Sequence, residues 1–213
     1  LIIADTFLSI SESVMFKFFF IGVMVCLSAV AQAKSIVVLG DSISANYGME
    51  ANKGWVSLLK HTLKSSHPNY TVHNESISGD TTAGGLARLP KLLTKYQPDI
   101  ILLELGANDG LRGMSLHTMQ QNLSAIIKKS KKSGAQILLL SMRIPSNYGK
   151  RYTEMFYASY QTLAIQHNIP VVPFILENIS LDQSHLQRDG LHPNTKAQPI
   201  IANHITPYLK PLL

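Results

Sequence analysis

Ser35-Ile36-Val37-Val38-Leu39-Gly40-Asp41-Ser42 is the stretch that decides how this chain folds. A short apolar, β-branched run is cut off by Gly40, and an acid and a serine follow at once. Such a run reads as a buried strand, and the residues after it as the loop at its C-terminal end. The device recurs downstream. Residues 70–73 read as a half-buried strand, 100–105 as a strong strand stopped by Gly106, 137–141 as another buried strand, and 170–174 as a short fifth. Helical spacing predicts helices between them. They cover 55–65 (Trp55, Leu58, Leu59 and Leu63 on one face), 86–96 with Pro90 near its first turn, and 115–133 closed by Gly134 at C′. Two more cover 152–167 and about 195–208, the last with Pro199 near its start or at a kink.

No repeat, low-complexity stretch or linker interrupts this alternation. It predicts a single-domain α/β fold, a doubly wound parallel sheet of the flavodoxin-like three-layer α/β/α kind. Functional groups of such sheets gather outside the C-terminal ends of the strands. Ser42 follows the first strand, Gly79 the second and Asn108 the third. Met142 and Arg143 follow the fourth, and Asp189 and His192 the fifth. Every candidate group therefore falls on one rim.

Those groups point to nucleophilic acyl transfer. Ser42 is the candidate nucleophile, although a serine after a strand is also an ordinary helix N-cap. Ser44 stands where the Gly-x-Ser-x-Gly elbow requires its second glycine, so this is not that motif. His192 is the candidate base among eight histidines. Pro193 favours extended backbone there, and Asp189, three residues earlier, is placed to reach the imidazole Nδ1. Gly79 and Asn108, with the Ser42 N–H, are candidate oxyanion donors; both also suit ordinary turns. Asp41, Asp80 and Asp109 read as loop-pinning acids. Asp-x-x-His alone is a poor metal signature without clustered companions, so no metal is expected.

At 213 residues with 46% hydrophobic content, one domain with a sizeable core is expected. Met15-Phe16-Lys17, an apolar run over 18–31 and Ala31-Gln32-Ala33 read as a secretory signal peptide cleaved before Lys34. The run is shorter than a membrane span needs. Residues 1–14 read as upstream sequence, with Met15 the expected start. The divisions are then 1–33, upstream segment and signal, and 34–213, the domain. Cys26, the one cysteine, leaves with the signal, so the domain has no thiol nucleophile, disulfide or cysteine metal site. The full chain carries +6; removing Lys17, Asp5 and Glu12 leaves 18 basic against 11 acidic side chains. That balance suits anionic lipid surfaces or phosphate-bearing substrates, or simply a solvated basic face. Lys128, Lys129, Lys131 and Lys132 cluster at a helix C-terminus with no aromatics between them, so a nucleic-acid partner is not expected.

The chain resembles the SGNH, or GDSL-type, hydrolases. Four blocks carry the resemblance: Gly40-Asp41-Ser42, Gly79, Gly106-Ala107-Asn108-Asp109 and Asp189-Gly190-Leu191-His192-Pro193. Residues 76–81, 85–90, 108–113 and 145–149 look like a bacterial periplasmic branch of that family. The resemblance implies Ser42, Asp189 and His192 as the triad and Ser42, Gly79 and Asn108 as the oxyanion hole. It implies a mobile loop over 110–116 at the substrate mouth and Ile144-Pro145 along the acyl site, so Gly110, Leu111, Met114, Ile144 and Pro145 are the substrate-binding candidates. It also implies a monomer without metal or organic cofactor. The activity expected is hydrolysis of acyl esters, acyl thioesters and lysophospholipids, with at most peripheral membrane contact. Leu111, Met114, Leu116 and Ile144 favour longer acyl chains, although a core role suits some of them equally well. The alternatives are a carbohydrate O-acetyl esterase and a catalytically silent lipid-binding protein.

Overall fold

β1 (Lys34–Gly40), β2 (Tyr70–Asn74), β3 (Ile100–Glu104), β4 (Gln136–Leu140) and β5 (Val171–Val172) pair in parallel in the order β2-β1-β3-β4-β5. The computed structural model describes residues 33–179 and 182–213. All but Ala33 of the segment read as upstream sequence and signal peptide lies outside the described residues. The sheet is the parallel, doubly wound one that the alternation predicts. β1 and β3 are apolar without alternation because both their faces are covered; Ile36 to Leu39 and Ile100 to Leu103 are almost wholly buried. The chain leaves β1 towards one edge, forms β2, then returns across β1 to begin β3. The crevice where the direction reverses, between β1 and β3, is where such sheets bind ligands. Their register pairs Gly40 with Glu104, so the loops bearing Ser42 and Asn108 leave the sheet side by side.

The helices are α1 (Trp55–Ser66), α2 (Thr82–Tyr96), α3 (Ala107–Leu111), α4 (Leu116–Lys132), α5 (Lys150–His167) and α6 (Gln198–Leu209). α1 packs on α6, while α2, α4 and α5 pack in series. Gln198, wholly buried at the head of α6, accepts the Trp55 N–H at the head of α1 (2.9 Å). Residues 33–213 form a compact unit, and among the described residues its buried core runs from Ile36 to Leu209. Among the described residues, no helix is long and apolar enough to cross a membrane.

Three elements depart from expectation. α2 begins at Thr82, four residues early, so Pro90 lies inside the helix and not in its first turn. Thr81 caps it by accepting the Gly84 N–H, and the Asp109 carboxylate takes both the N–H and the hydroxyl of Thr82 (2.9 and 2.6 Å). These bonds offset the poor helix propensity of Gly84 and Gly85. β5 keeps two residues because Pro170 and Pro173 flank it and have no N–H to donate. α3 forms where Asn108 also suits a turn; the Gly106 carbonyl accepts the Gly110 N–H and closes the segment into a short helix. α4 ends as expected, with Gly134 at φ 96°, and Pro199 lies in the first turn of α6.

Candidate active site

Gly40 ends β1 where no side chain fits. A Cβ there would lie 2.6 Å from Glu104 Oε2 and 2.9 Å from the Ser44 side chain. The chain turns at once, burying Asp41 and leaving Ser42 half-buried at the rim.

His192 arrives on the loop between β5 and α6. Leu186 and Pro193 form an antiparallel bridge, and the Gln187 N–H donates to the His192 carbonyl (2.7 Å). The Asn194 amide donates to the carbonyls of Ser184 and Leu186 (2.7 and 3.0 Å). The extended backbone that Pro193 favours is therefore held by a small ladder. Tyr47 lays its ring 4.5 Å from the imidazole, tilted by 36°.

The structure brings the three candidates together. Ser42 Oγ is 2.9 Å from His192 Nε2, and His192 Nδ1 is 2.7 Å from Asp189 Oδ2. Asp189 Oδ1 accepts the N–H groups of Leu191 (2.9 Å) and His192 (3.0 Å). Partial burial pushes the Asp189 carboxyl up, but those two N–H groups and the imidazole outweigh it and hold its pKa down at about 2. An ionised Asp189 accepts Nδ1–H, which leaves the Nε2 lone pair facing the Ser42 hydroxyl.

Asn108 lies in α3, which Gly106 opens at φ 119°. Its amide donates one hydrogen to Asp41 Oδ2 (3.1 Å), leaving the second for an incoming oxyanion. Asp41 in turn accepts the Ile43 N–H on Oδ1 (3.1 Å). Burial pushes Asp41 up to about 6 against the pull of Ile43, Glu104, His192 and Asn108. Gly79 turns at φ 77°; a Cβ would meet only Arg112 Nη2, at 3.6 Å, so the backbone angle and not space calls for glycine. Arg112 donates to the Gly79 carbonyl (2.9 Å) and ties that turn to the end of α3.

A cavity of about 90 Å³ opens between Ser42, Asn108 and His192 and the apolar side chains of Ile43, Leu111, Met142, Leu176 and Leu191. Arg143 also borders it. Of the five substrate-binding candidates only Leu111 stands on this wall. Gly110 and Ile144 are buried against one another: a Cβ on Gly110 would lie 2.9 Å from Ile144 Cγ2 and 2.7 Å from Phe156. They lie there because the inner face of α3 packs towards α5. Met114 and Pro145 are exposed beyond the wall. Gly79 lies outside the wall as well.

Asp80 pairs with Arg88 (2.8 Å) and Asp109 with Thr82, the pinning expected of them. Asp41 does more, because it holds Asn108. Sequence reasoning missed Glu104, which is wholly buried behind Ser42, with Oε2 accepting the Ser44 hydroxyl (2.7 Å) and the Asp41 N–H (3.1 Å). An acid within an apolar strand was its signal. Tyr47 gave none. Among the described residues, no group of three His, Cys, Asp or Glu side chains is placed to hold a metal ion.

Fold and site together define the class: a serine hydrolase built on a doubly wound α/β/α sheet. The chain belongs to the GDSL-like lipase/acylhydrolase family, whose model matches residues 38–199. It is 47% identical over 190 residues to esterase TesA of Pseudomonas aeruginosa, covering 89% of this chain and 94% of that protein. It is 45% identical to thioesterase 1/protease 1/lysophospholipase L1 of Escherichia coli K12, covering 86% of each. A crystal structure of TesA superposes with a TM-score of 0.82 at 47% identity, covering 84% of this chain and all of that one. The protein is thus a hydrolase with serine esterase activity.

Proposed function

We propose that the protein hydrolyses acyl esters, acyl thioesters and lysophospholipids through an acyl-serine at Ser42. The observation that carries this reading is the hydrogen-bonded series from Ser42 through His192 to Asp189, 2.9 and 2.7 Å, opening onto an apolar cavity. Ser42 Oγ attacks the acyl carbonyl as His192 Nε2 takes its proton, and Asp189 stabilises the imidazolium. The oxyanion forms among the N–H groups of Ser42 and Gly79 and the free amide hydrogen of Asn108. The intermediate collapses, His192 protonates the leaving alcohol or thiol, and water then cleaves the acyl-serine by the same route. The side chains of Ile43, Leu111, Met142, Leu176 and Leu191 would receive the acyl chain. The protein acts as a monomer in the periplasm, exported by residues 15–33 and cleaved before Lys34. The family relatives named as esterase and lysophospholipase support this substrate range over an O-acetyl esterase. The short Ser42–His192 distance weighs against a silent binding protein.

The test is hydrolysis of matched short- and long-chain acyl esters and acyl-CoA by residues 34–213, beside Ser42→Ala. Turnover by the wild type that the variant loses, extending to long chains, is the expected result. No turnover of any ester by the folded protein would overturn the reading.

A further inference from the structure

The described residues expose seven large apolar side chains to at least a third of their surface, and six surround one site. Tyr47 rests on the His192 ring, and Leu191 precedes His192 and lines the cavity. Ile77 precedes the Gly79 turn. On the far side of the mouth, Tyr148 donates its hydroxyl to the Leu111 carbonyl (2.8 Å), and Tyr152 reaches the Met114 carbonyl (3.4 Å). Met155 shares an open surface hollow with Tyr148 and Tyr152. The seventh, Ile165, lies near the C-terminus of α5. α5 returns from the end of β4 to the start of β5, so its C-terminus lies at the other end of the strands from the site. Exposed apolar side chains scattered singly need no explanation, but a ring of them around one opening does.

Cations stand among them. Arg112, Arg143, Lys150, Arg151 and Arg188 are all exposed. The acids on the same loops are mostly engaged: Glu50 pairs with Lys53 (2.7 Å), Asp80 with Arg88, Glu154 with Lys150 (3.8 Å), Asp182 with His185 (3.1 Å) and Asp189 with His192, which among the described residues leaves Glu177. Apolar tips ringed by guanidinium and ammonium groups match an anionic bilayer surface, whose headgroups attract cations and whose acyl boundary accepts apolar side chains.

We propose that this rim docks on an anionic lipid surface, with the cavity mouth facing the bilayer, so that single-chain acyl substrates pass from the membrane into the site. The proposal rests on the acyl-hydrolase reading above for its substrate, and on the ring of side chains for its surface. Tyr47 and Leu191 then touch lipid beside the triad, and Met155 and Arg151 touch it from α5.

The test is co-sedimentation of residues 34–213, which lie within one compact unit that carries the site, with phosphatidylcholine vesicles with and without phosphatidylglycerol, at low and high salt. Binding to the anionic vesicles, weaker to the neutral ones and reduced by salt, is expected. Arg151→Glu/Met155→Asp should bind about tenfold less, and so should Ile77→Asp on the other side of the mouth. The double variant should keep its thermal transition and its rate on a soluble short-chain ester. Ser42→Ala should bind vesicles as the wild type does, which separates failure of docking from failure of the hydrolase reading. No binding to anionic vesicles, or binding that these variants leave unchanged, would overturn the proposal. So would a dimer or a protein complex that covers the rim and excludes vesicles.

Discussion

Asp189 governs the state of His192 through both of its oxygens. Oδ1 is committed to the N–H groups of Leu191 and His192, so only Oδ2 faces the ring. That division sets the outcome of Asp189→Asn. The amide oxygen must stay on the two backbone donors, which turns the amide nitrogen, a donor, towards Nδ1. The imidazole then keeps its proton on Nε2 and presents a donor, not a base, to Ser42. The expected result is a fall in kcat of about 10³–10⁴-fold with little change in the unfolding midpoint. Steady-state kinetics beside thermal unfolding checks it; a fall under tenfold would mean that Asp189 does not set the tautomer. With a pKa held at about 2, Asp189 stays ionised across the whole working range. An acid limb in the rate between pH 4 and 7 therefore belongs to another group.

At the scale of elements, glycine placement explains both what the sequence made legible and what it hid. The strands could be read because residues 36–39, 100–103 and 137–140 of β1, β3 and β4 are apolar without alternation, the pattern of strands buried on both faces. Asn108 and Ser42 could be placed on one rim because each follows such a strand. The head of α2 could not be read, since Gly84 and Gly85 argue against a helix; the Thr81 cap there is local, but the Asp109 bonds that hold Thr82 come from tertiary contact. α3 was hidden for a related reason: Gly106 looks like the end of a strand and is also the start of a helix. That double role is testable. A Cβ on Gly106 would meet the Tyr160 hydroxyl at 2.5 Å, the same hydroxyl that donates to the Leu105 carbonyl (3.0 Å). Its φ of 119° adds backbone strain to the clash. Gly106→Ala should cost about 2–4 kcal/mol in urea unfolding. It should also lower kcat, because Asn108 lies two residues on. Gly113→Ala is the comparison, with φ 63° but open space around the new methyl. It should cost only about 1 kcal/mol, and equal losses in the two variants would show that the Tyr160 contact is irrelevant.

The whole molecule carries an electrostatic load beneath its site. Glu104 and Asp41 are both almost fully buried, with the Asp41 N–H on Glu104 Oε2, and Glu104 Oε1 meets no hydrogen-bond partner among the described residues. Two charged carboxylates with no cation against them are expensive in a dry interior. Burial first, and then the Asp41 charge, pushes the Glu104 carboxyl well above its usual range. Glu104 is therefore the partner that keeps its proton to higher pH, and Asp41, at about 6, the one that ionises first and holds Asn108. In the unfolded chain Glu104 regains an ordinary pKa near 4.3. The folded state then binds the extra proton, so its contribution to stability is complete below that value and is lost as pH rises towards the folded pKa. Glu104→Gln is a neutral mimic that cannot ionise in either state. Relative to wild type it should gain stability as pH rises above about 4.3, by about 1.4 kcal/mol per pH unit, and level off once native Glu104 ionises. Asp41, which Glu104 itself influences, adds a slope of its own between about 3.8 and 6, so the difference above pH 6 is the part that isolates Glu104. Urea unfolding of both proteins at intervals from pH 4 to 9 measures it. A difference that stays flat with pH would mean that Glu104 ionises inside the fold as it does in water, and that the charge behind Ser42 is larger than this assignment allows.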